Sequence, residues 1–185
     1  MARHTLDLLD GSEGAVVLPS GSCADMLVHH YPRLMADDPV YGPKATALSK
    51  RVYEFSQYVV DVLGVKDVGA RHDGRVVYHP SCHLLRGLGV DSQARNLLAN
   101  VEGVEVVEPE EAKTCCGFGG LFAVKMGDIS SAMLQRKLDN LLATEADVLT
   151  GCDMSCLLHM SGGLRRRDKA LRVMHLAELL RGDAP

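Results

Sequence analysis

Short apolar runs alternate with longer stretches of helical periodicity along this chain. Residues 15–19, 75–79, 104–107, 146–150 and 171–174 read as strands, each only four or five residues long. Between them, residues 24–31, 44–63, 92–100 and 128–144 carry apolar side chains at helical spacing, as do the stretch ending near Arg166 and residues 175–181. In the second of these, Ala47, Leu48, Val52, Phe55, Val59, Val62 and Leu63 fall on one side, and Gly64 is a stop signal. Strands of this length alternating with helices predict an α/β fold with a parallel sheet. The segment Thr114-Cys115-Cys116-Gly117-Phe118-Gly119-Gly120 fits neither pattern, because its glycines call for special backbone angles.

A weak internal echo refines this picture. Val16-Val17-Leu18-Pro19-Ser20-Gly21-Ser22-Cys23 and the run from Val148 to Ser155-Cys156 are each an apolar strand, a turn, then Ser-Cys at a helix start. The expectation is a Rossmann-like pseudo-repeat with one half incomplete. Residues 1–73 would be the remnant of an N-terminal cysteine-rich half, and residues 74–185 a complete C-terminal half.

Composition narrows the function classes. The chain has 185 residues, 46% apolar and 24% charged, which is ordinary for a folded domain. A net charge of −4 gives no basic footprint for duplex nucleic acid. With no Trp, five Tyr and three Phe, a stacking platform for single strands is poorly supported too. No apolar run reaches membrane-spanning length, and the first residues lead into no signal-peptide core, so the expected location is the cytoplasm.

The informative residues are the six cysteines, too few for a disulfide scaffold. Each lies just past a strand candidate or in the glycine loop, and ligand sites of open α/β sheets gather at that edge. Thirty-two residues separate Cys82 from Cys115; Cys116 is adjacent; thirty-five more lead to Cys152, and three to Cys156. Neighbouring cysteines fit poorly on one small tetrahedral ion, whose ligands are normally two to four residues apart. A cluster of several irons accepts both. Gly117, Gly119 and Gly120 let backbone N–H groups approach cluster sulfurs, which is one determinant of potential. Cys82 and Cys156 sit where helices begin, which favours thiolate.

His79-Pro80-Ser81-Cys82-His83, Cys115-Cys116-Gly117-Phe118-Gly119-Gly120 and Cys156-Leu157-Leu158-His159-Met160 resemble the CCG, or cysteine-rich, domain family. Ser20-Gly21-Ser22-Cys23-Ala24-Asp25-Met26-Leu27 and His83-Leu84-Leu85-Arg86-Gly87-Leu88-Gly89-Val90 match it as well, and the resemblance runs from about Val16 to Leu180. Its members include a heterodisulfide reductase component and the iron–sulfur subunits of glycolate oxidase and anaerobic glycerol-3-phosphate dehydrogenase. The resemblance implies an iron–sulfur cluster, of the 4Fe-4S or a non-cubane type, on Cys82, Cys115, Cys116 and Cys156. Cys152 and Cys23 are further candidates: Cys152 because the family pattern often ends Cys-x-x-Cys, Cys23 as the last cysteine of a second motif.

The implied role is electron transfer within a complex oxidising L-lactate, or a similar 2-hydroxy acid such as glycolate, to the 2-oxo acid, with other iron–sulfur subunits as partners. No flavin fingerprint or general base is readable, so no catalytic residue is assigned. Thiol/disulfide chemistry at a non-cubane cluster is the alternative. A structural zinc module on Cys115, Cys116, Cys152 and Cys156, or an inactive fragment, remains open. His79, His83 and His159 read most simply as structural histidines with satisfied ring nitrogens, the alternative being ligands or proton relays.

Overall fold

The computed structural model describes residues 1–182. The first part of the chain runs α1 (Ala2–Asp10), β1 (Val16–Leu18), α2 (Gly21–Asp25), α3 (Tyr31–Leu34), α4 (Tyr41–Ser49), β2 (Val52–Glu54) and α5 (Phe55–Gln57). There follow β3 (Arg71–His79), α6 (Ser92–Ala99), β4 (Glu102–Val107), α7 (Leu121–Lys125), α8 (Gly127–Leu142), β5 (Val148–Gly151), α9 (Met154–Arg166), β6 (Arg172–His175) and α10 (Leu176–Leu180). Wide π turns extend the helical segments at Met26–His30, Tyr58–Val62 and His83–Gly87. Among the described residues, no helix is long and apolar enough to cross a membrane.

The expected parallel α/β arrangement is present, but in two sheets. Four strands run parallel in the order β4-β3-β5-β6, and β1 pairs with β2 in a separate parallel sheet. The single helix expected over residues 44–63 is not formed. It breaks at β2, where Val16 pairs with Val52 and Leu18 with Glu54. Val52 is buried in a small core with Leu6, Ala24, Leu27 and Leu48, and this long-range burial overrides local helical spacing. Glu54 then caps α5, its carboxylate accepting from the backbone of Ser56 and Gln57.

Alternation along the central strands sorts the larger core into two faces. Val76, Tyr78 and Val148 pack on one side with Leu97, Leu176 and Cys152. Val77 and Leu149 pack on the other with Leu134, Leu138, Leu157, Cys116 and Cys156. The two sheets meet where β1 and β5 end. Gly21 N–H donates to the Cys152 carbonyl at 3.1 Å, and Ser22 N–H donates to the Asp153 carboxylate at 2.8 Å. The two strand–turn–Ser-Cys echoes thus touch one another: Ser20 and Asp153 form an antiparallel bridge.

Candidate metal centre

Three chain segments converge at the carboxyl end of the four-stranded sheet. Cys82 follows β3, Cys115 and Cys116 sit in the irregular loop before α7, and Cys156 lies in the first turn of α9. Together they line a cavity of about 220 Å³, with Ser22, His83, Gly119 and Gly120 also in its lining. Organic ligands occupy pockets of about 300–1,000 Å³. This smaller, thiol-lined space suits a compact inorganic group.

The thiols are arranged as one charge-sharing chain. Cys82 and Cys115 place their sulfurs 3.9 Å apart. Cys115 is driven strongly toward thiolate because the Cys116 and Cys82 thiols both direct hydrogen bonds to it. Those two donors are pushed up in consequence, Cys116 by Cys115 first and then by Cys156, Cys82 by Cys115 and then by burial. Backbone groups complete the cradle: Gly117 N–H donates to Cys115 Sγ at 3.4 Å. The N–H groups of Phe118 and His83 likewise favour negative charge on Cys116 and Cys82.

The loop holds this shape through Gly117, whose φ is +87°. A Cβ there would lie 2.7 Å from the Ser130 carbonyl oxygen and 2.9 Å from Met133 Cβ, both on α8. The Gly117 carbonyl accepts from the buried Ser130 hydroxyl at 2.7 Å. On the opposite wall, Asp153 caps α9 by accepting from Ser155 N–H. Burial raises the Asp153 carboxyl, but its bonds from Ser155 and Ser22 outweigh this and leave it below the usual range.

Two sequence candidates are not brought to the cavity. Cys152 immediately follows β5 and packs in the opposite core face, where burial and the neighbouring Glu54 carboxylate raise its thiol and Tyr78 and Ser56 lie against it. Cys23 is exposed on α2, outside the cavity lining.

Curated proteins similar to this chain include several lactate utilization proteins A. Lactate utilization protein A of a Geobacillus species is 48% identical over 165 residues, covering 89% of this chain and 69% of its own length. The homonymous protein of an Exiguobacterium species is 41% identical over 181 residues, covering 97% of this chain and 74% of the relative. Lactate utilization protein A 1 of Bacillus cereus is 44% identical over 178 residues, 96% of this chain and 74% of the relative. This chain belongs to the lactate utilization protein A family. Residues 76–161 also match the cysteine-rich domain, CCG, and run from within β3 to within α9.

One residue of this family member is placed differently from the reading the sequence favoured, and another was not evident from the sequence. His79, expected to be a satisfied structural histidine, is 1% exposed and neither ring nitrogen has a hydrogen-bond partner. Its ring lies against the sulfurs: one donor atom each of His79, Cys116 and Cys156 fall within 4.8 Å of one another. Burial holds the imidazole neutral, with a pKa lowered to about 3. Its parity with Val77, on the same face of β3, was the signal available in the sequence. The other is Lys137 on α8, 1% exposed, whose Nζ donates to the Ala112 carbonyl at 2.7 Å. Burial lowers it to about 8, against the opposing pull of Cys116, Cys115 and Cys156. A lone Lys within an apolar helical run gives no such warning. His159 also keeps an unpartnered Nε2, its ring 5.6 Å from Phe118.

Proposed function

We propose that this chain is an iron–sulfur electron-transfer subunit of a complex oxidising L-lactate, or a similar 2-hydroxy acid such as glycolate, to the 2-oxo acid. The observation that carries the reading is the convergence of Cys82, Cys115, Cys116 and Cys156 on one small cavity. The relatives' name supports lactate as the physiological context. The donors fit the group: soft sulfur ligands, N–H groups directed at them, and a buried ammonium, Lys137, that offsets accumulated negative charge.

Oxidising a 2-hydroxy acid to a 2-oxo acid releases two electrons and two protons. When bound, an iron–sulfur cluster accepts and returns one electron at a time. The part of this chain is to hold that group. Cys82, Cys115, Cys116 and Cys156 ligate it, the loop of Gly117, Gly119 and Gly120 presents backbone N–H groups to it, and the apolar face of Leu134, Leu138 and Leu157 keeps water from behind it. Partners would be other iron–sulfur subunits. Exposed Leu121, Val124, Met126 and Ile129 beside the glycine loop give such a partner an apolar landing close to the cavity. The division near residue 73 is supported by the separate pairing of β1 with β2.

The test is iron and acid-labile sulfide content after anaerobic reconstitution, with an electron paramagnetic resonance spectrum, on this chain and on Cys115→Ser/Cys116→Ser. Equal iron and sulfide, lost in the double variant, is the expected result. Zinc alone, or no metal, overturns it. Disulfide turnover by the isolated loaded chain would instead favour thiol/disulfide chemistry at the cluster.

A further inference from the structure

The ligand set implied by the sequence is all sulfur, and His79 stands outside it. A buried polar group without a partner costs roughly 1–3 kcal/mol, so two orphaned nitrogens on one ring call for an explanation. The apolar surroundings supply none, since Val77, Leu149 and Leu157 share this face of the sheet. The thiols do. A ring nitrogen of His79 and the sulfurs of Cys116 and Cys156 lie within 4.8 Å of one another, and all three residues are buried. Among the described residues, no other set of His, Cys and carboxylate donors meets that spacing. With metal–ligand bonds of about 2.0–2.3 Å, two donors on one ion stand up to about 4 Å apart, so a small inward movement closes the set.

The backbone is built to allow it. His79 ends β3 opposite Gly151 on β5. A side chain at Gly151 would start 3.0 Å from the His79 carbonyl and 3.8 Å from its Cβ, crowding the histidine.

We propose that His79 is a nitrogen ligand of the metal centre, placed beside the sulfurs of Cys116 and Cys156. This rests on the iron–sulfur reading above. Cys82 and Cys115, paired at 3.9 Å, remain for the rest of the cluster. A neutral imidazole in a coordination position brings one negative charge fewer than a thiolate, and histidine ligation raises the potential of iron–sulfur centres.

The experiment needs no substitution for its main arm. The full chain is produced with natural-abundance and with ¹⁵N-labelled histidine, reconstituted anaerobically with iron and sulfide, reduced, and examined by pulsed electron paramagnetic resonance. The expected result is a strong nitrogen coupling that changes with the histidine label. His79→Cys should keep its iron, lose that coupling and show a lower reduction potential; His79→Ala should lose the coupling and bind less iron. Iron and sulfide in the wild-type chain without histidine coupling overturns this inference alone. So does a coupling that persists in His79→Cys, since it would belong to His83 or His159. Absence of iron and sulfide from the wild-type chain overturns the electron-transfer reading along with it.

Discussion

His83 Nδ1 donates to the carboxylate of Asp25 at 2.8 Å, tying the residue after Cys82 to a helix fifty-eight positions earlier. Asp25 is 4% exposed and also accepts from His29 Nδ1 at 2.8 Å. It thereby joins two sequence motifs, Ser20–Leu27 and His83–Val90, that lie far apart along the chain.

Burial raises the Asp25 carboxyl, but the bonds from His29 and His83 outweigh it and leave the group below its ordinary 3.8. A carboxyl depressed in the folded state stabilises above its unfolded value and loses that contribution as pH falls through the folded one. Asp25→Asn should therefore destabilise by about 1–3 kcal/mol at neutral pH, the scale of hydrogen bonds to a charged group. The gap between wild type and variant should close below the folded pKa of Asp25. Urea unfolding at a series of pH values reads both, and a gap that stays constant into acid contradicts the account.

Gly87 sets the room for that carboxylate. A Cβ at Gly87 would lie 2.5 Å from Asp25 Cγ. Gly87→Ala should cost about 1–3 kcal/mol through overpacking. It should also loosen the His83 contact, visible as a changed ring-proton shift by nuclear magnetic resonance.

Lys137 shifts stability with pH in the same direction as Asp25, but in an alkaline window and because its charged form is the disfavoured one. Burial lowers it from 10.5 to about 8. For such a base the unfolded chain binds more protons between those two values, so stability rises with pH across that window. In metal-free protein the rise should be on the order of 3 kcal/mol, because each tenfold loss of proton affinity is worth about 1.4 kcal/mol. Lys137→Met should abolish it, because Met carries no titrating group. Denaturation midpoints at about pH 7.5 and 10.5, on either side of that window, are the check for both proteins.

Cys152 and Cys23 should be dispensable for metal. Cys152→Ala and Cys23→Ser are expected to retain the wild-type iron content, with Cys152→Ala losing about 1 kcal/mol of stability from the small cavity it leaves. Cys116→Ser should lose most of its iron. Equal iron loss in Cys152→Ala would show that the thiol reaches the cluster after all.

The apolar rim can be probed kinetically. Val124 is 82% exposed on α7. Val124→Glu should leave iron content and spectrum unchanged while slowing electron exchange with the partner subunits by about tenfold, a loss of roughly 1.4 kcal/mol at the interface.

The alternation of elements was legible because parallel sheets write it into the order of the chain. β2 was not, because three residues without glycine or proline punctuation sit inside a helix-spaced run, and only pairing with Val16 decides them. The four cavity cysteines were legible from their places at strand ends. Separating Cys156 from Cys152 required knowing on which core face each falls, and that depends on the pleat of β5 and the first turn of α9. His79 could be placed on a face by its parity with Val77. That its nitrogens lack partners is a property of what lies across from it, which no single strand records.

The contact of Ser22 N–H with Asp153 has a consequence for how the protein is made. Asp153 caps the helix that carries Cys156, so the last cavity cysteine to leave the ribosome is positioned partly by a turn made 131 positions earlier. If the cavity takes up the cluster proposed above, its loading would report on the assembled chain, because the Cys156 wall takes its final place only when the two segments have met. A polypeptide interrupted before α9 should emerge colourless.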